Sequence, residues 1–144
     1  MTHVDFYVMT GGGVDQSILV ACRLAEKACR QHDVYIHTSD EAQTNALNEK
    51  LWSFRPDAFV PHEIHSDHKH VSNAKVVIGH MPPPEAQQDV LINLSLSIPR
   101  FHGRFKRLLE VVPAEHSARE ACRKNYSYYK ERGYPLNKHD IAPT

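Results

Sequence analysis

Cysteine and tryptophan are scarce in this chain, and net charge is absent. The three cysteines, Cys22, Cys29 and Cys122, are an odd number at no zinc-like spacing. They exclude a disulfide scaffold and a cysteine zinc site, and they read as buried free thiols of a reducing cytoplasm. No apolar run approaches the roughly 20 residues needed to cross a bilayer. The opening Met-Thr-His-Val-Asp has no basic region leading into an apolar stretch, so neither a membrane partner nor a signal peptide is expected. Catalytic constellations are missing too. Ser17, Ser39 and Ser53 have no nucleophile-elbow motif around them, no cysteine has an activating neighbour, and the carboxylates are scattered. Such a chain reads as a binding protein. It shows no internal repeat and no dividing linker, so a single domain over 1–144 is expected, irregular from about residue 134.

The zero balance conceals an asymmetry. Residues 100–144 carry ten Lys/Arg against five Asp/Glu, whereas residues 1–99 carry seven against twelve. A basic C-terminal third points to a local anionic partner or to a solvated surface, not to a general nucleic-acid coat.

Taken in order, Val4 to Met9 reads as a strand rich in β-branched and aromatic residues. Ile18, Ala21, Cys22, Ala25, Ala28 and Cys29 recur at helical spacing and predict an amphipathic helix over 15–31. Val34 to His37 is a second strand. Thr38 and Glu41 form a Thr-x-x-Glu capping box that would open a helix over 38–50. Ala74 to Gly79, Val90 to Leu94 and Leu108 to Val112 (the expected last strand) follow. Between them lie a polar loop over His62 to Asn73 and a short helix within Arg100 to Arg107. A final helix runs from Glu115 to about Arg132, with Gly133 as its stop. This alternation argues for an α/β fold with a parallel sheet and covering helices.

Four stretches are candidate sites. Gly11-Gly12-Gly13 lies between strand and helix, where α/β folds often bind phosphate. It is neither Gly-x-Gly-x-x-Gly nor a P-loop, and Asp15 would oppose an anion. A permissive turn is its simpler role, and a small nucleotide- or phosphate-binding enzyme is the alternative. His62, His65, His68 and His70, with Glu63 and Asp67, could supply metal ligands to a hydrolase, but their spacing fits no common structural zinc pattern. No resident metal or cofactor is expected. Leu51 to His62 concentrates Trp52, Phe54, Phe59, Pro56 and Pro61 at a helix exit. Those rings are either ordinary core or an aromatic anchor for a partner. On the last helix, Arg119, Arg123, Tyr126 and Lys130 share one face, Tyr129 lies between that face and the apolar side, and Lys124 and Arg132 flank it. The face is either solvated or able to hold a peptide that is both acidic and aromatic.

Leu51-Trp52, Ser53-Phe54-Arg55 and Phe59-Val60-Pro61-His62 together resemble the signature of the chi subunit of bacterial DNA polymerase III. Tyr35-Ile36-His37-Thr38, Asp40-Glu41-Ala42-Gln43, Asp89 to Leu94 and Tyr129 to Leu136 match in the same order, so the resemblance runs from Val4 to about Asn137. It implies a three-layer α/β fold with helices on both faces of a mainly parallel sheet, Rossmann-like but without a nucleotide site. It also implies a cytoplasmic, non-catalytic adaptor in DNA replication that meets DNA only indirectly. One implied partner is psi, which connects chi to the clamp loader, at Trp52, Phe54, Phe59 and Pro61. The other is the acidic tail of single-stranded-DNA-binding protein, ending in Ile-Pro-Phe. The resemblance sets that tail at Arg123, Lys124, Tyr126, Tyr129, Lys130 and Val112. Ser127 stands where relatives can carry lysine.

Overall fold

Runs such as Val76–Gly79 and the Val90-Leu91-Ile92 that opens Val90–Asn93 are apolar at successive positions, so both faces of the strands they form must be covered. The computed structural model describes residues 1–57, 59–65 and 74–142. Its strands are β1 (His3–Met9), β2 (Val34–His37), β3 (His62–Ile64), β4 (Val76–Gly79), β5 (Val90–Asn93), β6 (Arg107–Val112) and β7 (Leu136–Ile141). Its helices are α1 (Val14–Ala28), α2 (Glu41–Ser53) and α3 (His116–Glu131). The strands form one sheet in the order β3-β4-β2-β5-β6-β1-β7, and every pairing is parallel.

Strand alternation sends neighbouring residues into two separate cores. Val34 and Ile36 pack with Ile18, Ala21 and Ala25 of α1 and with Leu47 and Leu51 of α2. Tyr35 turns the other way and packs with Phe6, Leu91 and Leu108 against Ala118 and Tyr129 of α3. The result is three layers, with α1 and α2 on one face and α3 on the other.

Several local expectations are corrected. β3 begins inside the stretch read as a polar loop: His62–Ile64 pairs with Val76–Ile78, while residues 66–73 lie outside the described residues. The segment beyond 134 is not irregular. β7 pairs along β1 from Val4↔Leu136 to Met9↔Ile141, so β6 is an interior strand and not the last one. The helix expected within Arg100 to Arg107 contracts to a 3-10 turn at His102–Arg104. Thr38 does not cap α2. Asp40 does, its carboxylate accepting the Gln43 N–H at 2.8 Å while Gln43 Oε1 accepts the Ser39 N–H at 2.7 Å. Thr38 is buried instead, its hydroxyl bonded to that of Thr44.

The helix ends fall where the breakers stand. α2 stops at Ser53, two residues before Arg55-Pro56. α3 gives way at Arg132 to Gly133, whose φ of +79° only glycine adopts freely. That reversal starts the chain back toward β7.

Candidate functional site

At the β3 edge of the sheet, the last turn of α2 holds Trp52 outward. Its ring lies 6.0 Å from Phe59 and 4.4 Å from the His62 imidazole, centre to centre. Trp52 is 54% exposed and Phe59 74%, so neither is a core residue. Phe54, the residue that caps α2, is half-buried against the α1/α2 core, and Pro61 is exposed. The platform beneath is fixed. Val60 is buried, His62 is held between the Val60 carbonyl at 2.7 Å and Asn48 Oδ1 at 2.9 Å, and Arg55 bridges to Glu26 at 2.8 Å. Two large rings kept in water by a rigid support have the features of a docking surface.

Toward the opposite edge, α3 packs on β6 and β1, and a cleft of about 480 Å³ opens between the helix and the outer strands β1 and β7. Its floor is Phe6 and Val8 of β1. One wall is Arg119, Cys122, Arg123, Tyr126 and Ser127 of α3, and the other is Lys138 and Asp140 of β7. Tyr126 packs on Phe6 at 5.5 Å between ring centres. Arg119 donates to the Met9 carbonyl at 3.2 Å, which holds its guanidinium at the cleft mouth. Burial, then the nearby Glu110 carboxylate, pushes the Cys122 thiol up. Cations around an apolar floor can grip a chain that offers carboxylates and an apolar end.

Of the residues expected here, Arg123 and Tyr126 line the cleft. Lys124 lies beside it, on a shallow depression of about 430 Å³ shared with Arg123, Ser127, Tyr128 and Glu131. Lys130 is exposed and lines neither. Val112, at the end of β6, and Tyr129, on the inward face of α3, are both buried and do not line the cleft. Tyr129 donates to Glu110 Oε2 at 3.2 Å, and Asn93 Nδ2 donates to Glu110 Oε1 at 2.8 Å. Burial raises the Glu110 carboxyl to about 8 against these two hydrogen bonds, so it is mostly protonated at neutral pH. The group fixes the seat of α3. Sequence reasoning missed Lys138 and Asp140 because their strand is polar on both faces, and it missed Phe6 and Val8 because they read as core.

The glycine turn is already filled from within the chain. The Gly13 N–H donates to Gln16 Oε1 at 3.0 Å, and a Glu115 carboxylate oxygen stands 3.3 Å from where a Cβ on Gly13 would be. With Asp15 in the first turn of α1, two carboxylates guard the amides that a phosphate would need. Among the described residues, no group of three or more His, Cys, Asp or Glu side chains could hold a metal ion. His68 and His70 lie outside the described residues. No helix among the described residues is long and apolar enough to cross a membrane.

Comparison with known proteins follows the same lines. The profile of the family described as DNA polymerase III chi subunit, HolC, matches residues 1–137. The chain is 45% identical over 142 residues to the DNA polymerase III subunit chi of Pseudomonas aeruginosa, covering 98% of each. It is 28% identical to the subunit of that name from Haemophilus influenzae, covering 96% of each. To that from Escherichia coli it is 27% identical, covering 95% of this chain and 97% of the relative. The solved structure of T4 UvsW superposes with a TM-score of 0.66 at 7% identity, over 99% of this chain and 42% of that one. That last likeness is one of fold alone.

Proposed function

Because the chain belongs to the DNA polymerase III chi subunit family, an accessory subunit of the polymerase assembly and not a catalytic one, we propose that it is a bivalent adaptor. It docks psi of the clamp-loader complex on the Trp52 edge and the acidic tail of single-stranded-DNA-binding protein in the α3–β7 cleft. The observation that carries this reading is the cleft itself, where Arg119, Arg123 and Lys138 stand around the apolar floor of Phe6 and Val8. Arg123 pairs with a tail carboxylate in the fork geometry that guanidinium favours. The terminal Phe of the tail lies against Phe6, Val8 and Tyr126. Lys124 and Lys130, both exposed on α3, add positive field from outside the cleft. Tyr129 and Val112 act from beneath, as the packing that fixes the helix.

On the Trp52 edge, Trp52 and Phe59 are the anchors, with Phe54 and Pro61 shaping the turn that presents them. Psi is the occupant named by the family resemblance.

The mechanism is one of geometry. The two surfaces lie at opposite ends of the sheet order, β3 and β7. Six inter-strand steps of about 4.8 Å set them roughly 29 Å apart, so both partners bind without collision. Holding the tail of a protein that coats the template raises the effective concentration of the polymerase there, with no new contact to DNA. Ion pairs at an exposed cleft are screened, so the grip should weaken with salt.

A bridging assay tests the reading. Immobilised psi should retain single-stranded-DNA-binding protein only when this chain is present. Trp52→Ala should abolish capture by psi and leave tail binding intact, and Arg123→Ala should do the reverse. If either substitution removes both activities in a folded protein, the two-surface account fails.

A further inference from the structure

Among the described residues that line the cleft, Asp140 carries the one negative charge, facing Arg119, Arg123 and Lys138. Its place is set by the register of β7, where Phe6 pairs with Lys138 and Val8 with Asp140. Lys138 and Asp140 are two residues apart and therefore on the same face of an edge strand, directly beside the apolar floor. Lys138 Nζ lies 3.8 Å from Asp140 Oδ1, and both side chains are more than half exposed. This is an ion pair at the outer limit of contact, open to water, and an entering carboxylate can exchange with it.

We propose that Lys138 is a third cation for the acidic peptide, and that Asp140, its neighbour on β7, is an internal competitor that the peptide must displace. The proposal rests on the reading of the cleft as an acidic-peptide site. Ligand carboxylate and Asp140 compete for one ammonium. A carboxylate free to approach Lys138 at the roughly 2.8 Å of a charge-assisted hydrogen bond has the better geometry. Displacing Asp140 leaves that side chain in water on an exposed strand, where it costs little. The arrangement keeps the grip on the tail weak and exchangeable, which suits a tether that must let go as the template advances.

The experiment is a titration with an acidic peptide ending in Ile-Pro-Phe at low ionic strength. It uses the wild type, Asp140→Asn, Lys138→Gln and the double variant, all with unchanged circular dichroism. A control peptide carries Asn in place of every Asp. Asp140→Asn should tighten the acidic peptide by roughly 1.5- to fivefold, the range of an exposed ion pair, and leave the control peptide unaffected. Competition for one ammonium also requires coupling. Lys138→Gln should cost more affinity in the Asp140→Asn background, where the lysine is free, than in the wild type. If the wild type binds the peptide but Asp140→Asn changes nothing, or if the two effects simply add, the competitor role is overturned while the cleft reading stands. If the folded wild type binds no acidic peptide, the cleft reading falls and the proposal with it.

Discussion

Replacing Glu110 by Gln tests a carboxyl buried in the interior of the fold. Glu110 sits in β6 beneath α3, 2% exposed, accepting from Asn93 and Tyr129. Burial raises its carboxyl from an ordinary 4.5 to about 8. Below the unfolded value, both folded and unfolded chains hold the proton, and the group has no pH-dependent effect. Between the two values the unfolded chain releases the proton while the folded one keeps it. The stability contributed by this group is therefore fully present below about 4.5 and is lost as pH rises toward 8. At pH 7 the loss amounts to 2.5 units at about 1.36 kcal/mol each, on the order of 3 kcal/mol. Glutamine has nearly the same shape, retains an oxygen for Asn93 and does not titrate. Glu110→Gln should match the wild type near pH 4.5, apart from a constant offset. By pH 7 it should gain on the order of 3 kcal/mol, or roughly 10 °C in Tm for a chain of this size. Urea unfolding followed by circular dichroism at pH 4.5, 6, 7 and 8 gives the difference directly. A difference that stays constant across that range would refute the reasoning, because it would mean that Glu110 titrates alike in the folded and unfolded chains.

Cys122 lines the cleft, whereas Cys29 lies outside it on the α1 side. The acidic peptide should slow alkylation of Cys122 at pH 8.5 by about fivefold or more and leave Cys29 as the internal control; equal protection of both would argue against occupancy of the cleft. Trp52→Ala and Phe59→Ala should each weaken psi binding by about 2 kcal/mol or more, as anchors do. Both should shift folding stability by less than about 1 kcal/mol, as exposed positions do. A larger loss of stability would return these rings to the core.

The architecture was legible where side chains carry a clear pattern. β1, β2, β4, β5 and β6 are β-branched or aromatic runs bounded by Gly, Pro or polar residues, and their alternation with helices implies a parallel sheet. β3 and β7 were not legible, and for the same physical reason: they are the two edges. His62-Glu63-Ile64 is only three residues long. Leu-Asn-Lys-His-Asp-Ile is polar at its centre because an edge strand needs charge to discourage pairing with other chains. Missing β7 hid one wall of the cleft, since Lys138 and Asp140 reach the site only through pairing with β1.

Helical spacing placed Arg123 and Tyr126 on one face, and both line the cleft. Spacing left Tyr129, three residues on, at the boundary. Its burial depends on Glu110 and His102, partners distant in sequence. Thr38 shows the limit of motif reading. Thr-x-x-Glu is present, yet Asp40 is better placed to accept the Gln43 N–H, and Thr38 is free to enter the core.

The central claim is that the α3–β7 cleft holds an acidic tail by charge and by its terminal ring. A labelled acidic peptide ending in Ile-Pro-Phe, titrated at two salt concentrations against wild type and Arg123→Ala, tests it most directly. The account expects binding that weakens as salt rises, falls at least tenfold with Arg123→Ala, and requires the final Phe. Absence of binding by the folded wild type, or binding indifferent to salt, to Arg123 and to the Phe, would contradict it.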